Sequence, residues 1–319
     1  MRRLLAGGLV IAYLAFPGLA RAGTVAIFYY PWYGTPLHDG TWEHWNQNGH
    51  TPPSSVYSSF FPASGPYSSD DPRTVTQQMQ EIAGAGVDEI IVSWWGRGSA
   101  EDLRLPLVMR AAHAQHLKVA IHLEPYPGRS PATVAQDLTY LAARGIRDVY
   151  VYHPLDFAAA DWQPVTAQKP AGMRLFAATD LIGFAADAGF NGFYTYDFID
   201  YGGAKFIRLC EEAHARGLLC APSVGPGYNG DRAGEISLTR PRDDGATYDE
   251  LWKAAIRAKP DMVTITSFNE WGEGTQIEPA VARAGYLSYN GSWGLHGTAA
   301  EDAYLTRTAY WAARFHALK

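Results

Sequence analysis

Short apolar runs and longer amphipathic stretches alternate along most of the chain, and their spacing sets out its elements. The β-rich apolar runs predict strands over Thr24–Tyr30, Val87–Trp94, Lys118–Glu124, Arg147–Tyr152, Phe190–Tyr196, Leu218–Ser223 and Asp261–Phe268. Between them, helical periodicity predicts helices over Pro72–Ala85, Glu101–His116, Pro131–Arg144, Thr179–Ala188, Ala204–Arg216 and Thr247–Ala258, with a last one over Ala300–His316. Asp71-Pro72 and Ser130-Pro131 place a capping side chain before a first-turn proline, and Gly86, Gly145, Gly189 and Gly217 stand where helices should stop. Alternation of this kind predicts a parallel α/β architecture: a single-domain (β/α)8 barrel (TIM barrel) over residues 23–319. The eighth strand is the weak point, and Gly285–Tyr289 is its best candidate. A doubly wound open sheet is the competing fold. It would show a glycine-rich phosphate loop after strand one, where this chain reads Tyr29-Tyr30-Pro31-Trp32-Tyr33-Gly34.

The helix-to-strand turns are short, whereas the first strand-to-helix loop runs from about Tyr33 to Asp71. Long loops on that side of a barrel build its site. Aromatic and polar residues collect at the strand ends: Tyr29, Tyr30, Trp32 and Tyr33; Trp94 and Trp95; His122, Glu124 and Tyr126; Tyr152 and His153; Tyr194, Tyr196 and Asp197; Tyr228. The last strand leads into Asn269-Glu270-Trp271-Gly272-Glu273-Gly274. Residues three apart face opposite ways in a strand but share a side in a turn, and the two glycines permit that turn. Glu270 and Glu273 then form a converging carboxylate pair, the equipment for acid/base cleavage of a glycosidic bond.

Composition narrows the chemistry. Hydrophobic residues make up 47% and charged residues 18% of 319, which describes a globular chain, with 10 Trp, 19 Tyr and 13 Phe. Met1 to Ala22 reads as a secretory signal: Arg2 and Arg3, an apolar stretch from Leu4 to Phe16, then Ala20-Arg21-Ala22 before a mature start at Gly23. Export to the periplasm or the extracellular space is therefore expected. Losing the signal's three arginines takes the formal net charge from −6 to about −9, which disfavours nucleic acid and anionic membranes as partners. A neutral glycan fits better. The ten histidines form no HxxxH or HExxH pattern, and neither a P-loop nor a GxSxG elbow occurs. No metal or cofactor is expected. Cys210 and Cys220 fall on a helix and the following strand, and a helix–sheet spacing near 10 Å favours two buried free thiols over a bridge.

Four segments carry a resemblance: Phe28-Tyr29-Tyr30-Pro31-Trp32-Tyr33, His122-Leu123-Glu124-Pro125-Tyr126, Gly225-Pro226-Gly227-Tyr228, and Ser267 to Glu278. Together they resemble glycoside hydrolase family 99, endo-acting α-mannosidases and α-1,2-mannanases on (β/α)8 barrels. The resemblance implies a retaining enzyme acting through a 1,2-anhydro sugar, with Glu270 as base and Glu273 as general acid. It also implies an oligo- or polysaccharide substrate containing mannose. Substrate contacts are expected from Tyr30, Trp32, Trp94, His122, Glu124, Tyr126, Tyr196, Tyr228, Asn269 and Trp271. One departure stands out: the family pattern has histidine where this chain has Gly272. Two rivals stay open: another barrel glycosidase pairing Glu124 with Glu270, and a non-catalytic glycan-binding barrel.

Overall fold

In the computed structural model of the chain the described residues are 23–234 and 239–318; the expected signal, 1–22, lies outside them. Eight parallel strands form the wall: β1 (Thr24–Tyr29), β2 (Glu89–Trp94), β3 (Lys118–Leu123), β4 (Asp148–Val151), β5 (Arg174–Ala178), β6 (Gly192–Tyr194), β7 (Leu219–Ala221, resuming as Ser223–Val224) and β8 (Met262–Ile265). Each pairs with its successor, β8 meets β7 through Thr264↔Ser223, and β1 meets β8 through Val25↔Val263. The sheet closes on itself. Pro222 interrupts β7 because it has no N–H to give the ladder, yet its carbonyl still accepts from Thr264 at 3.1 Å.

A helix follows every strand: α1 (Pro72–Gly84), α2 (Ala100–Ala114), α3 (Pro131–Ala142), α4 (Ala159–Gln168), α5 (Ile182–Asp187), α6 (Phe206–Ala215), α7 (Ala246–Arg257) and α8 (Ala303–His316). The caps read from the sequence are present: Asp71 accepts from the N–H of Arg73 at 3.0 Å, and Ser130 shares a capping box with Thr133. Strand residues are buried on both faces, as in a sheet covered by helices outside and side chains inside. Along β1 the period of two is plain. Val25, Ile27 and Tyr29 join the layer under the helices, whereas Ala26, Phe28 and Tyr30 join Ile91, Ala120, Tyr150, Phe176 and Tyr194 in the barrel interior.

Two expectations are corrected. The eighth strand is β5, not Gly285–Tyr289, and α4 precedes it in an interval the periodicity left blank. β5 reads Arg-Leu-Phe-Ala-Ala, too short and too alanine-rich to stand out, and α4 carries Pro164 in its interior. The 285–289 segment instead packs against the β1–α1 loop, where Leu287 donates to Ser59 O at 2.8 Å and bridges to Phe60. The second correction concerns the cysteines: Cys210 on α6 and Cys220 on β7 form a disulfide, with Cα atoms 5.2 Å apart. The 10 Å spacing is measured between a helix axis and a sheet. A helix's facing residues lie closer by its backbone radius of about 2.3 Å, and the tight α6–β7 turn closes the remainder.

Candidate active site

The site is assembled first by the backbone where β1 and β8 end. Asn269 accepts from the Tyr30 N–H at 2.7 Å and donates back to the Tyr30 carbonyl at 3.0 Å, fastening the two strand ends. Tyr33 donates its hydroxyl to Asn269 O at 2.8 Å and accepts from the N–H of Trp271 at 3.1 Å. Ser267 accepts from the N–H of Glu270 at 2.8 Å, and the Glu273 carbonyl accepts from Asn229 N–H at 2.8 Å. Gly274 takes a φ of +64°, and a Cβ there would lie 2.8 Å from the Asn229 carbonyl. The turn carrying both glutamates is thus pinned from β1, from its own strand and from the loop after β7.

These contacts place Glu270 and Glu273 in the wall of one cavity at the barrel mouth, about 550 Å³ in volume. Tyr30, Trp32, His122, Glu124 and Tyr196 line it with them. Glu124 is buried and accepts from Ser93 Oγ at 2.7 Å, which itself accepts from the indole N–H of Trp32 at 3.1 Å. His122 meets the Tyr194 hydroxyl at 2.9 Å through Nε2; its Nδ1 lies 3.1 Å from Glu124 but is too poorly aligned to count as hydrogen-bonded. The hydroxyls of Tyr30 and Tyr196 bond each other across the cavity. Burial first, then nearby carboxylates (Glu124, Glu270 and Glu273 for Tyr30; Glu273 and Glu270, with Tyr30 itself, for Tyr196), hold both phenols well above their usual range, so they remain proton donors.

Glu270 is the most distinctive group here. Burial first, then the negative charges of Glu273 and Glu124, raise its carboxyl well above the usual carboxylate range, against the pull of the Gly272 and Glu273 N–H groups. Its Oε2 is buried with no hydrogen-bond partner among the described residues. A buried acceptor left without a donor is rare in a folded protein. Glu270 also lines the cavity, so a small movement of its side chain would let this oxygen take its donor from a ligand.

Five expected contacts lie elsewhere. Trp94 points outward from β2, donating to Asp102 at 2.9 Å, because the strand's alternation turns Ser93 inward instead. Tyr126 bonds Asp137 on α3 and packs edge-on against Trp94 at 6.1 Å. Trp271 is buried behind the turn, donating to Glu278 at 2.8 Å, and Asn269 is wholly buried as a backbone fastener. Tyr228 lines a second cavity, about 520 Å³, on the far side of the Glu273–Gly274 turn with Arg240 and Arg242. Conversely, the cavity includes residues that the strand-end pattern did not single out: His44, Gln47 and Tyr57 from the β1–α1 loop, and Glu101 at the start of α2. Only the length of that loop signalled the first three. Burial, with Arg104 adding to it, lowers His44 to about 4. Its neutral imidazole packs on Trp32, the ring centroids 4.9 Å apart.

Known proteins are similar to this chain in sequence and fold. The sequence pattern of glycosyl hydrolase family 99 matches residues 22–159 and 174–317. The blank between them covers most of α4. A glycoprotein endo-alpha-1,2-mannosidase-like protein of Danio rerio is 32% identical over 91% of this chain and 78% of its own length. Glycoprotein endo-alpha-1,2-mannosidase of Rattus norvegicus is 31% identical over 83% of this chain and 70% of its own. The solved structure of the family 99 endo-alpha-mannosidase from Bacteroides thetaiotaomicron superposes with a TM-score of 0.84 at 31% identity, covering 92% of this chain and 98% of that one. A closed eight-stranded barrel, a cavity walled by acids and aromatics, and matches of this extent lead to one conclusion: the chain is a glycoside hydrolase and belongs to glycosyl hydrolase family 99.

Proposed function

We propose that the enzyme is an exported, retaining endo-α-mannosidase or mannanase in which Glu270 is the base and Glu273 the acid. The observation that carries this reading is the buried, unpartnered Oε2 of Glu270 in the cavity wall. In an α-mannoside the 2-hydroxyl is axial and trans to the axial leaving group, so O2 can attack the anomeric carbon from behind once its proton is removed. Glu270 takes that proton. Its raised affinity for protons makes it a stronger base, when ionised, than an ordinary carboxylate. As the C1–O2 bond forms, the bond from C1 to the departing oxygen breaks and Glu273 protonates that oxygen. The 1,2-anhydro sugar is then opened by water, whose proton goes to Glu273 while Glu270 returns its proton to O2. Retention follows from two inversions, with no carboxylate attached to the sugar, which departs from the usual retaining scheme.

Mannose as the substrate sugar is supported by the relatives' activities. Export is supported by the signal-like start and by the disulfide, which suits an oxidising compartment; N-terminal sequencing of the secreted protein should begin at Gly23. The rival pairing of Glu124 with Glu270 makes Glu270 a nucleophile. Aryl 2-fluoro-α-mannosides decide between them: the proposed route binds them without turnover, whereas a fluoroglycosyl adduct on Glu270, seen by mass spectrometry, overturns it. Glu273→Gln should cripple α-mannosides with poor leaving groups by a factor of about a hundred or more while sparing those with very good ones; equal losses on both would remove Glu273 as the acid.

A further inference from the structure

Gly272 sits between the two glutamates and lines the same cavity. Unlike Gly274, it does not occupy the left-handed region, so its backbone conformation does not require glycine. Space requires it. A Cβ at 272 would lie 2.7 Å from Cε1 of Tyr57, a distance real Cβ atoms do not show, and 3.2 Å from Oε1 of Glu270. The intruding ring comes from the β1–α1 loop, whose backbone is held in place there. The Tyr57 N–H donates to Trp45 O at 2.9 Å. Its neighbours Val56 and Ser58 are buried, the N–H of Val56 donates to the Tyr286 hydroxyl at 3.0 Å, and His50 meets the ring edge-on at 6.4 Å. The Tyr57 ring therefore fills the volume that a side chain at 272 would occupy, against the turn that carries the acid/base pair.

We infer that Tyr57 is a specificity-determining substrate contact, its ring walling the leaving-group side of the cavity and packing against the sugar that departs. The assignment rests on the function proposed above, and the side is part of the inference: Tyr57 meets the turn at Gly272, between Glu270 and Glu273, and lines the same cavity as both. Aromatic faces suit this task because a sugar ring presents apolar C–H groups on its flat side. The glycine and the tyrosine form one device, in which the missing side chain admits the ring.

Kinetics on two substrates test it: an α-1,2-linked mannose oligosaccharide, and an aryl α-mannoside with the same non-reducing portion but no sugar in the leaving group. Tyr57→Ala should cost the oligosaccharide at least about tenfold more in kcat/KM than it costs the aryl glycoside, chiefly through KM, since the lost contact is to bound sugar. Tyr57→Phe should retain most of the oligosaccharide activity, and Tyr57→Leu, which keeps bulk for folding but no aromatic face, should not. Gly272→Ala should be damaging alone and cost several-fold less in the Tyr57→Ala background, because the collision at 2.7 Å is then gone and only the 3.2 Å approach to Glu270 Oε1 remains. Equal losses on the two substrates, or additive effects of the two substitutions, overturn the inference. Wild-type enzyme that cleaves neither substrate removes the underlying function; wild-type cleavage with an indistinguishable Tyr57→Ala variant removes the role of Tyr57 alone.

Discussion

Glu270 and Glu278 leave the same strand end, are equally hidden from solvent, and are both pushed up by burial, yet their surroundings differ. Glu278 accepts from Tyr67 and Gln78 at 2.7 Å and from the Trp271 indole at 2.8 Å. Gln78 lies on α1 and also accepts from Tyr29, so this acid ties the turn to β1 and its helix. Its carboxyl titrates at about 8 because desolvation outweighs the three donors. Glu270 has an oxygen that no described residue serves, and two further acids for company. A raised pKa alone therefore does not separate a working acid from a supporting one. On the function proposed above, hydrogen-bond completeness does: Glu278 accepts from three protein donors, whereas one oxygen of Glu270 has none among the described residues.

The largest expected contrast is in activity. Glu270→Gln should lower kcat/KM on an α-mannoside by about a thousandfold or more with little change in unfolding midpoint, since no protein donor loses its acceptor at Oε2. Glu278→Ala should do the reverse, leaving the Tyr67 hydroxyl and the Gln78 amide without their acceptor and the Trp271 indole with only the Tyr67 oxygen at 3.2 Å, and lowering unfolding free energy by about 3 kcal/mol in denaturant titrations. If both variants behave alike in both assays, the comparison fails.

A smaller effect is the pH dependence of stability. The folded state keeps Glu278 protonated up to about 8, whereas an unfolded carboxyl releases its proton near 4.5. The native chain binds the extra proton between those values, so this group's contribution to stability declines as pH rises through that window and is flat above it. Glu278→Gln cannot titrate and should lessen the decline in melting temperature between about pH 5 and 8; an unchanged slope assigns the decline to other groups.

The smallest expected effect refines the Glu270 side. A base must be ionised, so the acid limb of kcat/KM should lie above the ordinary carboxylate range. Glu124→Gln removes one of the two negative charges that raise Glu270 and should move that limb to lower pH. A limb that stays put would mean that Glu124 does not act electrostatically on Glu270.

Much of this was legible along the chain. Seven of the eight strands stand out as apolar runs, the caps at Asp71 and Ser130 announce α1 and α3, and Glu270-x-x-Glu273 marks the cavity wall. Trp94 was misplaced although the signal existed: with Ile91 and Ser93 inward, the strand's period of two sends Trp94 out. Trp271 and Tyr126 were harder, since they follow strand ends where alternation has ceased and the path of the loop decides their direction. β5 was missed because parallel strands gain their stability from neighbours in space, so five residues suffice without a pattern of their own.

The sequence by itself determined the alternation of strand and helix, the carboxylate pair and the family, because periodicity and a dense local motif are properties of neighbouring residues. It also contained Gly272 but not the reason for it. Only the tertiary structure decided that Cys210 and Cys220 join, that Glu278 is saturated while Glu270 is not, and that Tyr57 rests on the turn. Each depends on residues distant in the chain meeting at ångström range, where contact and hydrogen-bond energies fall away too steeply for residue order alone to fix them.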